Sequence, residues 1–230
     1  MSKHSKRYRS AAEKTDSEES YSLDDAMQAL DKMDKTKFDE TVELSVALEV
    51  DPKQTSQSVR GTVNLPHGSG RKVVVAVFTE KPEEAEAAGA DHVGLEDLVA
   101  KVKDGWAEFD VAVATPEAMK QVRSVARVLG PRGLMPTPKA GTVTDDVREA
   151  VNAVKAGRVE FKMDKTGALA VVVGKRSFSP RQLVENAGAA IKAIAGARPE
   201  NFKGRFIRKM SVSSTMSPGI ALESAAYAQL

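Results

Sequence analysis

The chain has 230 residues, with 34 Lys and Arg against 32 Asp and Glu, three His and no Cys. At 41 % hydrophobic and 29 % charged, it has the composition of a globular protein of one large or two smaller domains. The missing cysteines exclude disulfides, thiolate catalysis and Cys-ligated zinc. The first ten residues hold Lys3, Lys6, Arg7 and Arg9 without an acid or an apolar period, and read as a basic arm. Leu23, Ala26, Met27, Leu30 and Met33 then recur at helical spacing, with Ser22 and Asp25 forming a cap. Val42, Leu44, Val46, Leu48 and Val50 alternate with polar or small residues, the period of a half-buried strand. Residues 59–65 (VRGTVNL) repeat that pattern weakly, and the two are expected to pair as an antiparallel ribbon. Pro66-His67-Gly68-Ser69-Gly70 breaks the run.

Residues 72–78 (KVVVAVF) are almost continuously apolar, as a strand covered on both faces would be. A helix follows, with Pro82 in its first turn and Gly89 at its end. Beyond the short segment ADHVG, Leu95, Leu98, Val99 and Val102 mark a second helix, closed by Gly105. FDVAVA gives a further strand, and Thr115-Pro116-Glu117 starts a helix predicted to run to Gly130. Strands alternating with helices imply a mostly parallel sheet of Rossmann-like appearance. The Gly/Pro-rich loop Gly130–Gly141 and a helix carrying Val147, Ala150, Val151 and Val154 complete this block.

The two-residue period then returns. Val159, Phe161 and Met163 lead into the turn Asp164-Lys165-Thr166-Gly167, and GALAVVVG leaves it; this predicts a hairpin. Ser179-Pro180 caps a long helix with Leu183, Val184, Ala187, Ile191 and Ile194, and RFIRKMSVSSTM is a last strand ending in Ser217-Pro218-Gly219. Neither outer part closes a core alone. The expected fold is therefore α/β and α+β in two domains: a split two-layer α+β domain of residues 1–67 and 158–230, and an inserted α/β domain of residues 68–157. Pro66, Gly68, Gly70 and Gly157 lie at the two crossings, which together make a hinge.

Residues 1–70 carry net −3, residues 71–156 net −2, and residues 157–230 net +7 from 12 cations against 5 acids. A basic final third suggests an anionic partner. Apolar runs of six residues are far short of the ~20 that cross a bilayer, and no apolar stretch follows the basic start as a secretory signal would require. The expectation is a soluble chain, not exported by that route and without membrane contact; the missing cysteines suit a reducing cytoplasm. A nucleotide-dependent enzyme is the competing class, but the turn after the first apolar strand, TEKPEE, has no glycine to approach a pyrophosphate. No His has a neighbour at metal-ligand spacing, and Asp24-Asp25 and Asp145-Asp146 open helices, where acids suit the dipole. No cofactor is expected. Only eleven aromatics are present and no RNP-type run, so duplex or compactly folded RNA held through phosphates, 2′-hydroxyls and groove shape fits better than stacked single strands.

Six strings carry a resemblance: KFDETVEL (Lys37–Leu44), VRGTVNLPHGSG (Val59–Gly70), AGADHVG (Ala88–Gly94), LGPRGLMPTPKAGTV (Leu129–Val143), VEFKMDKTGA (Val159–Ala168) and SSTMSPG (Ser213–Gly219). With the opening KHSKRYR, they are similar, in order and spacing, to the bacterial form of the large-subunit ribosomal protein family of the mobile side stalk ("L one"). The resemblance implies a split domain holding both termini and an inserted Rossmann-like domain, without enzymatic activity. It also implies binding to large-subunit rRNA, a place in the stalk of the large ribosomal subunit, and help in releasing deacylated tRNA from the exit site. Repression of the chain's own operon, through an mRNA that mimics the rRNA site, is implied as well, as is a monomer when free of RNA. A free-standing regulator that binds only mRNA would use the same surface.

Carried over residue by residue, the family's RNA surface falls on Lys37, Phe38 and Thr41, on Asp164, Lys165 and Thr166, and on Thr215, Met216, Ser217, Pro218 and Gly219. Taken alone, Phe38 also reads as a small core staple and the DKTG string as a plain hairpin turn. The family's usual string here is T-M-G-P-S, so Ser217 and Gly219 exchange a glycine and a serine, and the contact is expected to shift rather than vanish. Lys3, Lys6, Arg7, Arg9, Lys203, Arg205, Arg208 and Lys209 would add phosphate contacts, the arm being otherwise a solubilising tail. Arg132 and Lys139 of the inserted domain would add secondary contacts with RNA or tRNA. Net −2 on that domain predicts that its removal leaves most rRNA affinity.

Overall fold

The computed structural model describes residues 4–16, 19–52, 54, 57–199, 202 and 204–223. The chain divides into two compact units, Met1–Gly70 with Val159–Leu230, and Arg71–Arg158. No helix among the described residues is long and apolar enough to cross a membrane.

The first unit opens with a helix, α1 (Lys6–Ala12), where a basic arm was expected. The Ser5 hydroxyl accepts from the Tyr8 N–H, and Ala11 is buried in the unit's core. One buried alanine leaves no apolar period to read, which is why the sequence looked unstructured. Lys6, Arg7 and Arg9 lie on this helix, and Lys3 is outside the described residues. In α2 (Leu23–Lys32) the Ser22 side chain caps Asp25 N–H as predicted, and Leu23, Ala26, Met27 and Leu30 face inward.

The alternating segment is β1 (Thr41–Leu48), with Val42, Leu44, Val46 and Leu48 buried. Each contributes about 1.5–3 kcal/mol by leaving water. Its pairing corrects two expectations. Both edges of β1 are occupied antiparallel, by β7 (Ala168–Lys175) and by β8 (Ile207–Ser214), so β2 (Arg60–Asn64) cannot join it. β2 instead pairs with β6 (Arg158–Lys162) in a separate two-stranded sheet. Gly61 permits that pairing, since a Cβ there would lie 2.7 Å from the Phe161 ring.

The expected hairpin over residues 159–174 is consequently only a turn. The Asp164 N–H donates to the Ala168 carbonyl, after which β6 and β7 part into different sheets. A short strand that the sequence did not suggest, β9 (Ile220–Leu222), closes the order β7-β1-β8-β9. α2 and α8 (Pro180–Gly196) pack against the buried face, α8 starting with a capping box of Ser179 and Gln182.

The second unit has a parallel sheet in the order β4-β3-β5, from β3 (Val75–Phe78), β4 (His92–Gly94) and β5 (Val111–Ala114). Every residue of β3 is buried, as its unbroken apolar run required. α3 (Pro82–Ala87) and α7 (Val147–Lys155) cover one face of the sheet, and α4 (Glu96–Lys103) lies on the other with the segment after Thr115. That segment is not one helix: α5 (Met119–Val122) and α6 (Ala126–Leu129) flank a 3-10 turn over Arg123–Val125. Val125 leaves the helical backbone at φ −101°, ψ 9°.

Candidate nucleic-acid interface

The segment after α2 and the turn after β8 meet where β1 begins. Thr41 and Thr215 lock them together: Thr215 N–H donates to the Thr41 carbonyl at 3.0 Å, and Thr41 N–H donates to Thr215 Oγ1 at 3.0 Å. Lys175 Nζ donates to Thr41 Oγ1 at 2.8 Å. The two joined segments carry Phe38 and Met216, 55 % and 48 % exposed and the two exposed large apolar side chains among the described residues. The structure therefore does not use Phe38 as a core staple. Lys37 is exposed beside it.

The element joining the two segments is Glu40, 2 % exposed. Its Oε1 accepts from the Thr36 N–H at 3.1 Å, and its Oε2 accepts from Ser214 Oγ at 2.5 Å and from the Met216 N–H at 3.1 Å. One oxygen thus holds the segment carrying Lys37 and Phe38, and the other holds the turn carrying Thr215–Gly219. Arg7 of α1 adds an ion pair to Glu40 at 3.9 Å and donates to the Met216 carbonyl at 3.3 Å. Burial pushes the Glu40 carboxyl up, but the bonds from Ser214, Met216 and Thr36 outweigh it and hold the group below its ordinary value.

Arg176 is buried nearby. Its Nη2 donates to the Met33 carbonyl at 3.0 Å, while Nε and Nη1 have no hydrogen-bond partner among the described residues. Burial lowers its proton affinity, and the charges of Glu40 and Asp31 oppose that.

Asp164, Lys165 and Thr166 are not gathered with these residues. The Leu48 N–H donates to the Gly167 carbonyl, which sets the turn at the far end of β1 from Thr41, roughly 24 Å away at ~3.4 Å per residue. Asp164 Oδ1 accepts from Thr166 Oγ1 and N–H, both at 2.7 Å, and from the Ala168 N–H at 3.0 Å. The Thr166 hydroxyl bond leads in lowering the Asp164 carboxyl, followed by the Ala168 and Thr166 amides.

The open face of the sheet connects the two clusters. In register along it lie Glu43 with Ser213, Ser45 with Ser211, and Ala47 with Lys209. Of these serines Ser45 went unnoticed in the sequence, although period two already places it, with Ser211 and Ser213 of the last strand, opposite the apolar face. Arg208 and Lys209 are exposed near the Asp164 end, and Arg205 donates to the Ile207 carbonyl. Lys203 lies outside the described residues.

Residues 30–218 match the Ribosomal protein L1p/L10e family. The chain belongs to that family. It is 51 % identical to the large ribosomal subunit protein uL1 of Kosmotoga olearia over 225 residues, covering 97 % of each chain. It is 52 % identical to that of Rhodococcus erythropolis, covering 97 % of this chain and 94 % of the relative.

In this family member Ser217 has a local structural use. Its Oγ accepts from the Ser214 N–H at 2.9 Å and donates to the Pro218 carbonyl at 2.9 Å. Its backbone φ is not positive, so the turn does not demand glycine, and a Cβ at Gly219 would meet nothing within 4 Å among the described residues. Ser217→Gly is therefore expected to change affinity for the stalk rRNA fragment less than tenfold, under ~1.4 kcal/mol, in a direct titration against wild type.

At the first chain crossing, Asn186 is fully buried. Its Oδ1 accepts from the His67 N–H, and its Nδ2 donates to the Gly68 and Val173 carbonyls. His67 Nε2 lies 2.6 Å from Glu185 Oε2. Gly70 has φ +71°, and a Cβ there would lie 2.8 Å from Lys175 Cγ and 2.9 Å from the Phe178 ring. Arg132 and Lys139 are exposed on the second unit.

Proposed function

We propose that the chain is a non-enzymatic constituent of the large ribosomal subunit in the cytoplasm, where its split unit grips a folded stretch of large-subunit rRNA. The observation that carries this reading is the arrangement at one end of the sheet. Two exposed apolar side chains, Phe38 and Met216, stand on the segments joined at Thr41 and Thr215, at one end of the sheet whose β1 and β8 carry Ser45, Ser211 and Ser213 in register. Such a surface offers stacking on a ribose or base edge, hydroxyls for 2′-OH groups, and cations for phosphates.

The same reading gives Asp164, Lys165 and Thr166 the other end of the RNA site. Lys6, Arg7, Arg9, Arg208 and Lys209 supply phosphate contacts at its margins. Residues 1–67 and 158–230 form the RNA-binding domain, and Pro66, Gly68, Gly70 and Gly157 the hinge to residues 68–157. As part of the stalk the protein assists release of deacylated tRNA from the exit site, and the same surface binds its own operon's mRNA as a repressor.

Phe38→Ala tests the carrying observation. Loss of one stacking side chain is expected to cost about 1–3 kcal/mol of affinity for the stalk rRNA fragment. Thermal stability should stay within ~0.5 kcal/mol of wild type, because the ring is exposed. Unchanged affinity in a filter or calorimetric titration would remove Phe38 from the interface.

A further inference from the structure

Residues 33–40, which carry Lys37 and Phe38 from α2 to β1, form neither helix nor strand. A connection without a hydrogen-bonded ladder of its own is ordered only by what holds it. Besides the Glu40 side chain, one short stretch does this: Arg176 and Ser177, which directly follow β7. Arg176 Nη2 donates to the Met33 carbonyl at 3.0 Å, and the Arg176 N–H donates to the Glu40 carbonyl at 2.8 Å. Ser177 donates twice to Asp39, from its N–H to Oδ1 at 3.0 Å and from its Oγ to Oδ2 at 2.8 Å. The stretch is itself firmly placed. The Phe178 N–H closes a turn on the Lys175 carbonyl, the Phe178 side chain packs on the core of the unit, and Ser179 caps α8.

Asp39 is an exposed carboxylate directly after Phe38. On a surface that meets a polyanion its charge works against binding, so its place there calls for another use. We infer that Asp39 and Ser177 are positioning residues: their paired hydrogen bonds hold the Phe38 segment in its RNA-binding conformation before RNA arrives, without touching RNA themselves. Both carboxylate oxygens are engaged on Ser177, which sits on the rigid junction of β7 and α8. A segment ordered in advance does not oppose binding with its own loss of freedom, and it favours the one RNA shape that fits it over others. The inference deepens the proposed role and rests on it for the identity of the ligand.

The test compares the full chain as wild type, Asp39→Ala, Asp39→Asn and Ser177→Ala, each titrated with the stalk rRNA fragment and with an unrelated duplex of equal length. Asparagine removes the charge but keeps the geometry, since its Oδ1 accepts from the Ser177 N–H and its Nδ2 can donate to Ser177 Oγ. Asp39→Ala is expected to lose about tenfold in affinity for the stalk fragment, because the freed segment must then be ordered on binding. Its affinity for the duplex should hold or rise, because a repelling charge has gone. Asp39→Asn should equal or exceed wild type on both RNAs. Ser177→Ala keeps the N–H bond and should lose only about threefold, on the stalk fragment alone. In RNA-free protein, hydrogen exchange at residues 34–40 should rise in Asp39→Ala and stay at the wild-type level in Asp39→Asn.

If Asp39→Asn lost as much stalk affinity as Asp39→Ala, the carboxylate would be an RNA contact in its own right, and the inference would be overturned. Unchanged stalk affinity in Asp39→Ala would overturn it too, as would equal losses on both RNAs, which mark a general defect of the fold. Failure of wild type to prefer the stalk fragment over the duplex would instead defeat the proposed function. The exchange comparison, made without RNA, would still decide whether Asp39 and Ser177 hold the segment.

Discussion

Glu40→Ala is expected to lower affinity for the stalk rRNA fragment by about a hundredfold and to destabilise the split unit by roughly 3–5 kcal/mol. The stability loss follows from what the carboxylate leaves behind: the Thr36 and Met216 N–H groups and the Ser214 hydroxyl lose their acceptor. Buried Arg176 loses one of the two carboxylates opposing its burial. The affinity loss follows from geometry, because the segment with Phe38 and the turn with Met216 are no longer tied to one group. Glu40→Gln separates the two effects. An amide keeps the volume but has only one accepting oxygen, so either the Thr36 side or the Ser214 and Met216 side is released. Its affinity is expected to fall at least tenfold with a smaller stability loss than the alanine variant. Hydrogen exchange should rise at whichever segment is freed.

The sign of the pH dependence is fixed by the same group. The folded Glu40 carboxyl sits below its ordinary value of 4.5, so the stability it contributes is present above that value. It is lost as pH falls through the lower folded one. Stability of wild type should therefore be insensitive to this group between about pH 5 and 8 and decline below that range, and Glu40→Gln should lose that part of the acid slope.

Asn186→Ala is the second large effect, at about 3 kcal/mol. A fully buried amide holding three backbone groups is removed, which leaves the His67 N–H and the Gly68 and Val173 carbonyls short of a partner. A cavity is added. For a chain of this length that amounts to a drop of about 6–12 °C in the midpoint of the split unit's unfolding, measured by calorimetry. RNA affinity at a temperature where the variant is folded should change little, since the hydrogen bonds of Asn186 go to His67, Gly68 and Val173 and not to residues proposed to meet RNA. A loss under 1 kcal/mol would show that solvent satisfies those groups and that Asn186 is not a clamp.

Much of the local structure was legible because it rests on short-range rules. The alternation over 42–50 gave β1 and its buried face, the unbroken apolar run gave β3, and Ser22 and Ser179 marked their helices. Pairing was not legible. β1 takes partners more than a hundred residues away, and nothing in 59–65 shows that both of its edges are already occupied.

The same distance hid the centre of the candidate site. Glu40 and Ser214 are 174 residues apart, and each reads alone as an ordinary polar residue at a strand end. A signal was nonetheless present: extending the period of Val42 and Leu44 back by two puts Glu40 on the inward face, and that of Met210 and Val212 forward puts Ser214 there too. A carboxylate on a buried face needs donors, and finding them leads to the Thr36 and Met216 amides. The family strings located Phe38 and Thr215–Gly219 directly but gave no hint that Asp164–Thr166 stand at the other end of the sheet.

The central claim, that the split unit recognises stalk rRNA through this surface, is tested most directly by a salt-dependent titration. Wild-type protein is titrated with the stalk fragment of its own organism's large-subunit rRNA, beside an unrelated duplex of equal length. Tight binding to the stalk fragment that persists at physiological salt, where the control falls away, is the predicted result. Equal and equally salt-steep binding to both would contradict it, and would leave the basic residues as a general polyanion surface.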